Sequence, residues 1–128
     1  MAEAAAPPIL LVDDYRTIRR IVATLLARSG FTDIDEAADG AEALAKMRQR
    51  RYALVISDWN MQPMGGLDLL REVRADPELG ATPFVMLTAE GRTENAVAAR
   101  EAGASAYLMK PFDVSTLRSK LDGLLAAA

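Results

Sequence analysis

Four short apolar segments of this chain each end on a polar side chain that can take part in chemistry. In chain order, these end residues are Asp13 with Asp14, then Asp58, Thr88 and Lys110. Short apolar runs rich in Val and Ile are typical of strands buried on both faces, which belong to parallel sheets. Because the carboxyl ends of parallel strands lie on one edge of a sheet, these side chains are predicted to share that edge.

Three of these residues are carboxylates that would meet if the first and third strands were neighbours. That is the case in the doubly wound order 2-1-3-4-5, a common order that we assume here. At about 4 Å and an effective dielectric constant of about 20, each close pair of carboxylates repels by about 4 kcal/mol. Either proton uptake or a cation must offset this repulsion. Lys110 supplies one positive charge, and the all-oxygen ligand set favours Mg²⁺ for the remainder.

A Mg²⁺ ion flanked by a carboxylate, a lysine and a hydroxyl suits phosphoryl transfer. Asp58 stands alone on its strand and is the better candidate nucleophile, since Asp13 and Asp14 form a natural metal-holding pair. Lys110 would contact the non-bridging phosphoryl oxygens, and Thr88 would donate a hydrogen bond to them. The predicted product is an aspartyl phosphate.

The elements that must position these residues alternate along the chain. Strand patterns cover residues 9–12, 33–37, 53–58, 83–87 and 105–109. Helical spacing of apolar residues follows each one: from Thr17 to Gly30 with Thr17 or Asp14 as the cap, then over about 41–49, 67–75, 93–102 and 114–125. The alternation predicts an α/β fold, with a five-stranded parallel sheet of order 2-1-3-4-5 and helices on both faces, as in flavodoxin-like proteins.

Composition limits the classes of function. The chain has 128 residues, enough for one domain, and a net charge of −3, so no attraction to nucleic acid or to anionic membranes is expected. It has neither Cys nor His, which excludes disulfides, thiol nucleophiles, Ser-His triads and ordinary zinc sites. Residues 1–8 are expected to form a frayed tail and 9–126 the domain. With no signal peptide and no apolar run of about 20 residues, we expect a cytoplasmic protein.

The chain resembles the receiver domain of two-component response regulators over about residues 9–125. The residues that carry this resemblance are Asp13-Asp14, Asp58, Thr88-Ala89 and Lys110-Pro111-Phe112. A closer similarity, to single-domain chemotaxis regulators of the CheY type, rests on Ser57-Asp58-Trp59-Asn60-Met61, Thr88-Ala89-Glu90 and Tyr107. The resemblance implies that Asp58 accepts a phosphoryl group from a histidine of a partner kinase. It also implies that Mg²⁺ is held by Asp14, Asp58 and the backbone carbonyl of Asn60, with Asp13 acting through water.

The resemblance further implies a switch. Thr88 and Lys110 bind the phosphoryl group, and movement of Thr88 lets the ring of Tyr107 turn inward. This reshapes the face formed by the fourth helix, fifth strand and fifth helix, which meets the target. From the residues alone, Tyr107 is equally compatible with a half-buried structural ring.

Three further positions carry expectations from the same resemblance. Asn60 and Glu90 match positions that tune self-dephosphorylation, and the peptide bond before Pro111 is expected to be cis. The sequence departs from the family pattern in the loop after Asp58, where Gln62 stands at the usual proline position and proline follows at Pro63. Gly65-Gly66 adds backbone freedom before the third helix. These differences affect the expected loop conformation and phosphorylation rates.

The sequence therefore predicts a stand-alone, monomeric, Mg²⁺-dependent phosphoacceptor switch that has weak autophosphatase activity and is not a turnover enzyme. Its expected partners are a sensor histidine kinase of the CheA type and the flagellar motor switch. One alternative is a phosphate sink or phosphorelay intermediate without motor contact. A second is an aspartyl-phosphate-type phosphatase, although such hydrolases carry a second acid where this chain has Asn60.

Two basic clusters, Arg19-Arg20 and residues 48–51, could point to other functions. The second cluster follows a predicted helix, whose C-terminal dipole favours cations, so a solvated helix end is the preferred interpretation. Binding of nucleic acid or a nucleotide is the alternative.

Overall fold

A computed structural model of the chain describes residues 7–59, 61, 64–88, 93–109 and 114–126. Strands and helices alternate strictly through these residues. In chain order they are β1 (Ile9–Val12), α1 (Arg16–Arg28), β2 (Ile34–Ala37), α2 (Gly40–Gln49), β3 (Leu54–Asp58), α3 (Gly66–Ala75), β4 (Phe84–Thr88), α4 (Thr93–Glu101), β5 (Ala106–Met109) and α5 (Val114–Ala126). Of the predicted tail, residues 1–6 lie outside the described residues. Among the described helices, none combines the length and the apolar character that crossing a membrane requires.

The sheet has the predicted architecture. Its strands are all parallel and follow the order β2-β1-β3-β4-β5. In register, Val12 at the end of β1 lies opposite Ala37 of β2 and Ser57 of β3. Next along, Asp58 at the end of β3 lies opposite Leu87 of β4. The carboxyl ends of the strands therefore form one continuous edge.

Side chains that alternate along the central strands form a core on each face of the sheet. Leu10 and Val12 point to the face covered by α2 and α3, whereas Ile9 and Leu11 point to the face covered by α1 and α5. All residues of β1, β3 and β4 are buried. Burial on both faces is why these strands are continuous apolar runs in the sequence. Each fully buried Leu or Ile contributes about 1.5–3 kcal/mol, which fixes the strands whose ends carry the site.

The start of α1 differs from the prediction. Neither Thr17 nor Asp14 caps the helix: the N-cap position is Tyr15, whose side chain makes no capping hydrogen bond. Instead, the carboxylate of Asp13 accepts a hydrogen bond of 2.9 Å from the backbone N–H of Tyr15 and turns the chain into the helix. The predicted apolar stripe of α1 is also only partly buried, since Ile21 is 52% exposed.

The second basic cluster is not simply a solvated helix end. Arg50, just after α2, reaches the start of β2, where its guanidinium lies 2.5 Å from a carboxylate oxygen of Asp33 and 2.8 Å from one of Asp35. The hydroxyl of Tyr52 donates a 2.6 Å hydrogen bond to the same oxygen of Asp35. This bond, with the contact to Arg50, lowers the pKa of Asp35. Burial, with the bond to Asp35, raises the pKa of Tyr52 to about 12.

Candidate metal and phosphoryl site

Three carboxylates meet at the carboxyl edge of the sheet. Asp13, Asp14 and Asp58 each offer an oxygen, and these oxygens lie within 4.8 Å of one another. Asp13 is 2% exposed and Asp58 is 8% exposed, whereas Asp14 is open to solvent. The predicted convergence of acids from the first and third strands is therefore confirmed. It follows directly from the pairing of β1 with β3.

Asp13 is held at its backbone and at its side chain. Its N–H donates to the carbonyl of Ala37 at 3.1 Å, which continues the β1–β2 ladder past Val12. Its carbonyl accepts a 2.6 Å hydrogen bond from Nη1 of Arg19, and its carboxylate accepts from Tyr15, as described above. The turn that carries Asp13 and Asp14 is thus tied to both the neighbouring strand and the first helix.

Asp58 is held in place by hydrogen bonds of the residue that follows it, Trp59. The N–H of Trp59 donates to the carbonyl of Leu87 at 2.8 Å, and the carbonyl of Trp59 accepts from Gly66 at 3.0 Å. This brings the start of α3 against the end of β3. A Cβ at position 66 would lie 2.1 Å from the carbonyl oxygen of Asp58, so Gly66 is required for this close approach. The sequence indicated only added backbone freedom at Gly65-Gly66.

Thr88 lies at the same edge, as the strand pattern predicted. It ends β4 and is 1% exposed. Because Asp58 pairs with Leu87, Thr88 is one position further along the adjacent strand, and it pairs in turn with Met109 of β5. The other residues assigned to this site or its loop, Asn60, Gln62, Pro63, Glu90, Lys110 and Pro111, lie outside the described residues.

Tyr107, the predicted switch residue, is partly buried on β5. Its ring packs edge-on against the ring of Trp59, with a centroid separation of 6.4 Å and an interplanar angle of 79°. No chemistry is predicted for Trp59 from its residue type, yet this residue directly follows Asp58. The contact therefore joins the residue beside the acids to the strand that carries Tyr107.

Arg19 is the residue near the site that sequence reasoning missed. Besides the bond to Asp13, its Nε donates to a carboxylate oxygen of Glu36 at 2.9 Å. The sequence placed Arg19 in a basic pair with Arg20, because nothing in the spacing showed that residue 36 would lie beside it. A helix-face analysis can show that the two arginines point in different directions, but only the fold supplies the partner.

The acids fit a hard divalent cation. Their donors are carboxylate oxygens, which both Mg²⁺ and Ca²⁺ prefer, and few protein ligands with room for water favour Mg²⁺. Oxygens around an octahedral Mg²⁺, with bonds of about 2.1 Å, lie about 3 to 4 Å apart. A spread within 4.8 Å reaches this geometry with small side-chain rotations.

Comparison with known proteins shows the family to which the chain belongs. Residues 9–122 match the family model described as the response regulator receiver domain. The chain is 46% identical over 114 residues to chemotaxis protein CheY-3 of Vibrio cholerae serotype O1, covering 89% of this chain and 88% of that protein. It is 43% identical to chemotaxis protein CheY of Pseudomonas aeruginosa, covering 89% of this chain and 92% of that protein.

Solved structures show the same similarity. The chemotaxis response regulator CheY4 of Vibrio cholerae superposes with a TM-score of 0.85 at 37% identity, covering 94% of this chain and 99% of that one. A response regulator receiver protein from Pseudomonas putida gives a TM-score of 0.84 at 33% identity, with coverages of 94% and 99%. Sequence and fold agree, and the chain belongs to the response regulator receiver family as a receiver domain of the CheY type.

Proposed function

We propose that this protein is a receiver that accepts a phosphoryl group on Asp58, with Mg²⁺, from a phosphorylated histidine of a sensor kinase. The observation that carries the proposal is the meeting of Asp13, Asp14 and Asp58 at one edge of the sheet. Receiver domains of the CheY type are switches rather than classical enzymes, so one transfer per signalling event is the expected activity. Residues 9–126 form the proposed functional unit.

The transfer is a displacement at phosphorus. A carboxylate oxygen of Asp58 attacks the phosphorus atom, and the bond between phosphorus and the imidazole nitrogen of the donor breaks. The nitrogen keeps the electron pair and takes up a proton, which leaves a neutral histidine and an aspartyl phosphate. The burial of Asp58 at the end of a rigid strand supports this role, because it holds the attacking oxygen in place.

The other site residues position the phosphoryl group. Asp13, Asp14 and Asp58 would hold Mg²⁺ together with the backbone carbonyl of Asn60. The bound ion supplies positive charge that stabilises the phosphoryl oxygens in the transition state. The hydroxyl of Thr88 and the ammonium of Lys110 would contact the same oxygens. Thr88 is suited to this role because it is buried one strand away from Asp58.

The output is proposed to pass through Tyr107. Its contact with Trp59 supports a link between the acids and β5, and the face formed by α4, β5 and α5 is the proposed target surface. The names of the relatives as chemotaxis proteins support a role in chemotaxis. We therefore propose a CheA-like histidine kinase as the donor and the flagellar motor switch as the target. Asn60 and Glu90 would tune the rate at which the aspartyl phosphate hydrolyses.

Intact mass spectrometry after incubation with Mg²⁺ and a small acyl phosphate tests the proposal. Wild type should gain one phosphate, and Asp58→Asn should gain none. Asp68→Asn is the matched control, because Asp68 is an exposed acid on α3 and should label like wild type. Equal labelling of wild type and Asp58→Asn would overturn the assignment. Multiple turnovers of a small phosphate ester would instead support a phosphatase.

A further inference from the structure

Arg19 ties the acidic site to the neighbouring strand. Nη1 of Arg19 donates to the carbonyl oxygen of Asp13 at 2.6 Å, and Nε donates to a carboxylate oxygen of Glu36 at 2.9 Å. The side chain of Arg19 is only 15% exposed. Because the guanidinium is planar and its donors point in fixed directions, these two bonds set the distance between the turn after β1 and the side chain on β2.

The carbonyl that Arg19 holds belongs to the peptide unit between Asp13 and Asp14. The orientation of that peptide plane sets the direction in which the side chain of Asp14 leaves the backbone. Asp14 is the exposed member of the acidic group, so packing does little to fix it. The bond from Arg19 is the side-chain contact that acts directly on the carbonyl of this peptide unit, so it helps to define where the Asp14 carboxylate starts.

Glu36, the second partner of Arg19, is itself well anchored. It lies within β2, in register with Leu11. Its backbone carbonyl accepts a hydrogen bond from the ammonium of Lys46 on α2, and Lys46 also lies 3.6 Å from Glu42 one turn earlier in that helix. The backbone that carries Glu36 is therefore held in place, so the bond from Arg19 to Glu36 connects the Asp13 turn to a fixed strand.

We propose that Arg19 is a positioning residue for the metal site, which orients the Asp13–Asp14 peptide and so raises the affinity for Mg²⁺. The inference rests on the proposed function, because it assumes that the three acids bind Mg²⁺. Arg19 does not touch the ion or the phosphoryl group in this role. It acts through the backbone that carries two of the ligands.

Electrostatics makes the opposite prediction, which gives the test its power. A guanidinium beside a cation site repels the cation, so removing its charge alone would tighten Mg²⁺ binding. Removing the two hydrogen bonds would release the peptide and weaken binding. The sign of the change in affinity on replacing Arg19 therefore separates positioning from charge.

Titration of the metal-free protein with Mg²⁺, followed by calorimetry and by Trp59 emission, measures the effect. Arg19→Met should raise the Kd for Mg²⁺ by about tenfold, the size seen when groups that orient metal ligands are lost. Arg19→Lys should also weaken binding, because an ammonium keeps the charge but lacks the planar pair of donors. Arg20→Met is the matched control: Arg20 is the adjacent exposed arginine, and its loss should change the Kd by less than about twofold.

A second readout needs no metal. Hydrogen exchange of the Tyr15 amide, which donates to Asp13, should be faster in Arg19→Met than in Arg20→Met. Urea unfolding checks that each variant is folded. If Arg19→Met does not fold, the Mg²⁺ affinity of Arg19→Lys provides the test. If the Arg19 variants bind Mg²⁺ as tightly as wild type or more tightly, the positioning role of Arg19 is overturned, whereas the proposed function stands. A flat titration of wild type would overturn the proposed function, and the inference with it.

Discussion

The ring of Trp59 meets the ring of Tyr107 edge-on, with centroids 6.4 Å apart. Trp59 is the first residue after Asp58, and its N–H bonds to Leu87 of β4. The two rings therefore span β4 and connect the end of β3 to β5. Any change at Asp58 that shifts the backbone of Trp59 alters the surroundings of Tyr107.

Trp59 should report Mg²⁺ binding at the proposed site, because it directly follows Asp58 and is the only tryptophan in the chain. We expect its emission to change on addition of Mg²⁺, and to shift in metal-free Tyr107→Leu, which lacks the edge contact. A double-mutant cycle of Trp59→Leu and Tyr107→Leu should give a coupling of about 0.5–1.5 kcal/mol in urea unfolding. Zero coupling would show that the contact adds nothing beyond burial.

Gly66→Ala should damage both fold and site. The added Cβ would lie 2.1 Å from the carbonyl of Asp58, so the start of α3 must move away from β3. We expect a loss of about 1–3 kcal/mol in the free energy of unfolding and weaker Mg²⁺ binding. Gly123→Ala is the control: it lies in α5 with nothing within 4 Å of the new Cβ, and should gain about 0.5–1 kcal/mol. Equal stability of the two variants in urea would contradict the predicted clash.

Asp13→Asn should stabilise the metal-free protein. The substitution removes one of three converging charges but keeps an oxygen that accepts from Tyr15. Because Asp14 is exposed and its charge is partly screened, we expect the free energy of unfolding of the metal-free protein to rise by only about 1–2 kcal/mol. Urea unfolding with and without Mg²⁺ checks this. Saturation at about 100 times the Kd should stabilise wild type by about 2.7 kcal/mol, and Asp13→Asn by much less. A less stable metal-free variant would argue against repulsion among the acids.

Tyr52→Phe should lower stability in a pH-dependent way. The variant loses the bond that lowers the pKa of Asp35 from its ordinary value of 3.8. We expect the free energy of unfolding to fall by only about 0.5–1 kcal/mol at pH 7, because the carboxylate of Asp35 is partly exposed. A lowered folded pKa means that this stabilisation is present above about pH 4 and is lost on further acidification.

At high pH, the raised pKa of Tyr52, about 12 against an ordinary 10.0, predicts stabilisation that is complete below about pH 10 and lost as the pH rises toward 12. Urea unfolding of wild type and Tyr52→Phe at pH 3, 7 and 11 measures both the loss of stability in acid and the loss at high pH. A difference between the two proteins that is constant across this range would refute the assigned linkage.

Arg74 should matter for stability and little for metal binding. Its guanidinium donates to the carbonyls of Gly103, Gly80 and Thr82 at 2.9, 3.0 and 2.6 Å, and burial lowers the pKa of the side chain. Arg74→Met leaves these carbonyls to water, so we expect a loss of about 2–3 kcal/mol. Mg²⁺ affinity should stay within about twofold of wild type, because the contacts lie away from the acids. Exposed Arg71 on the same helix offers the matched control, Arg71→Met.

The features that could be predicted from the sequence are those that local pattern determines. Apolar runs that stop on Asp13, Asp58 and Thr88 marked the strand ends, and parallel pairing then brought the acids together. The predicted strand starts at residues 33, 53, 83 and 105 each precede the observed start by one residue. At Pro83 the reason is that a proline has no N–H for the ladder.

The missed features depend on partners distant in the chain. Arg19 finds Glu36 17 residues away, and Arg74 finds Gly103 29 residues away. No helical or strand period connects such positions, so the sequence pattern does not indicate the partner of either arginine. The predicted cap of α1 at Asp14 or Thr17 is wrong: the helix begins at Arg16, so Tyr15 takes the N-cap position, and the turn before it is held by the bond from the Tyr15 amide to Asp13.

The Arg50 cluster lies where β2 and β3 begin, and the acids lie where β1 and β3 end, so the ion pairs of Arg50 and the acidic site occupy opposite rims of one sheet. The separation is the length of a strand, four residues in β1 and five in β3. In a biosensor made from this domain, substitutions that raise thermal stability, or attachment to a support, can therefore be placed at the rim that holds Arg50 and Tyr52. The acidic site, where we propose phosphoryl transfer, would remain unchanged at the other rim.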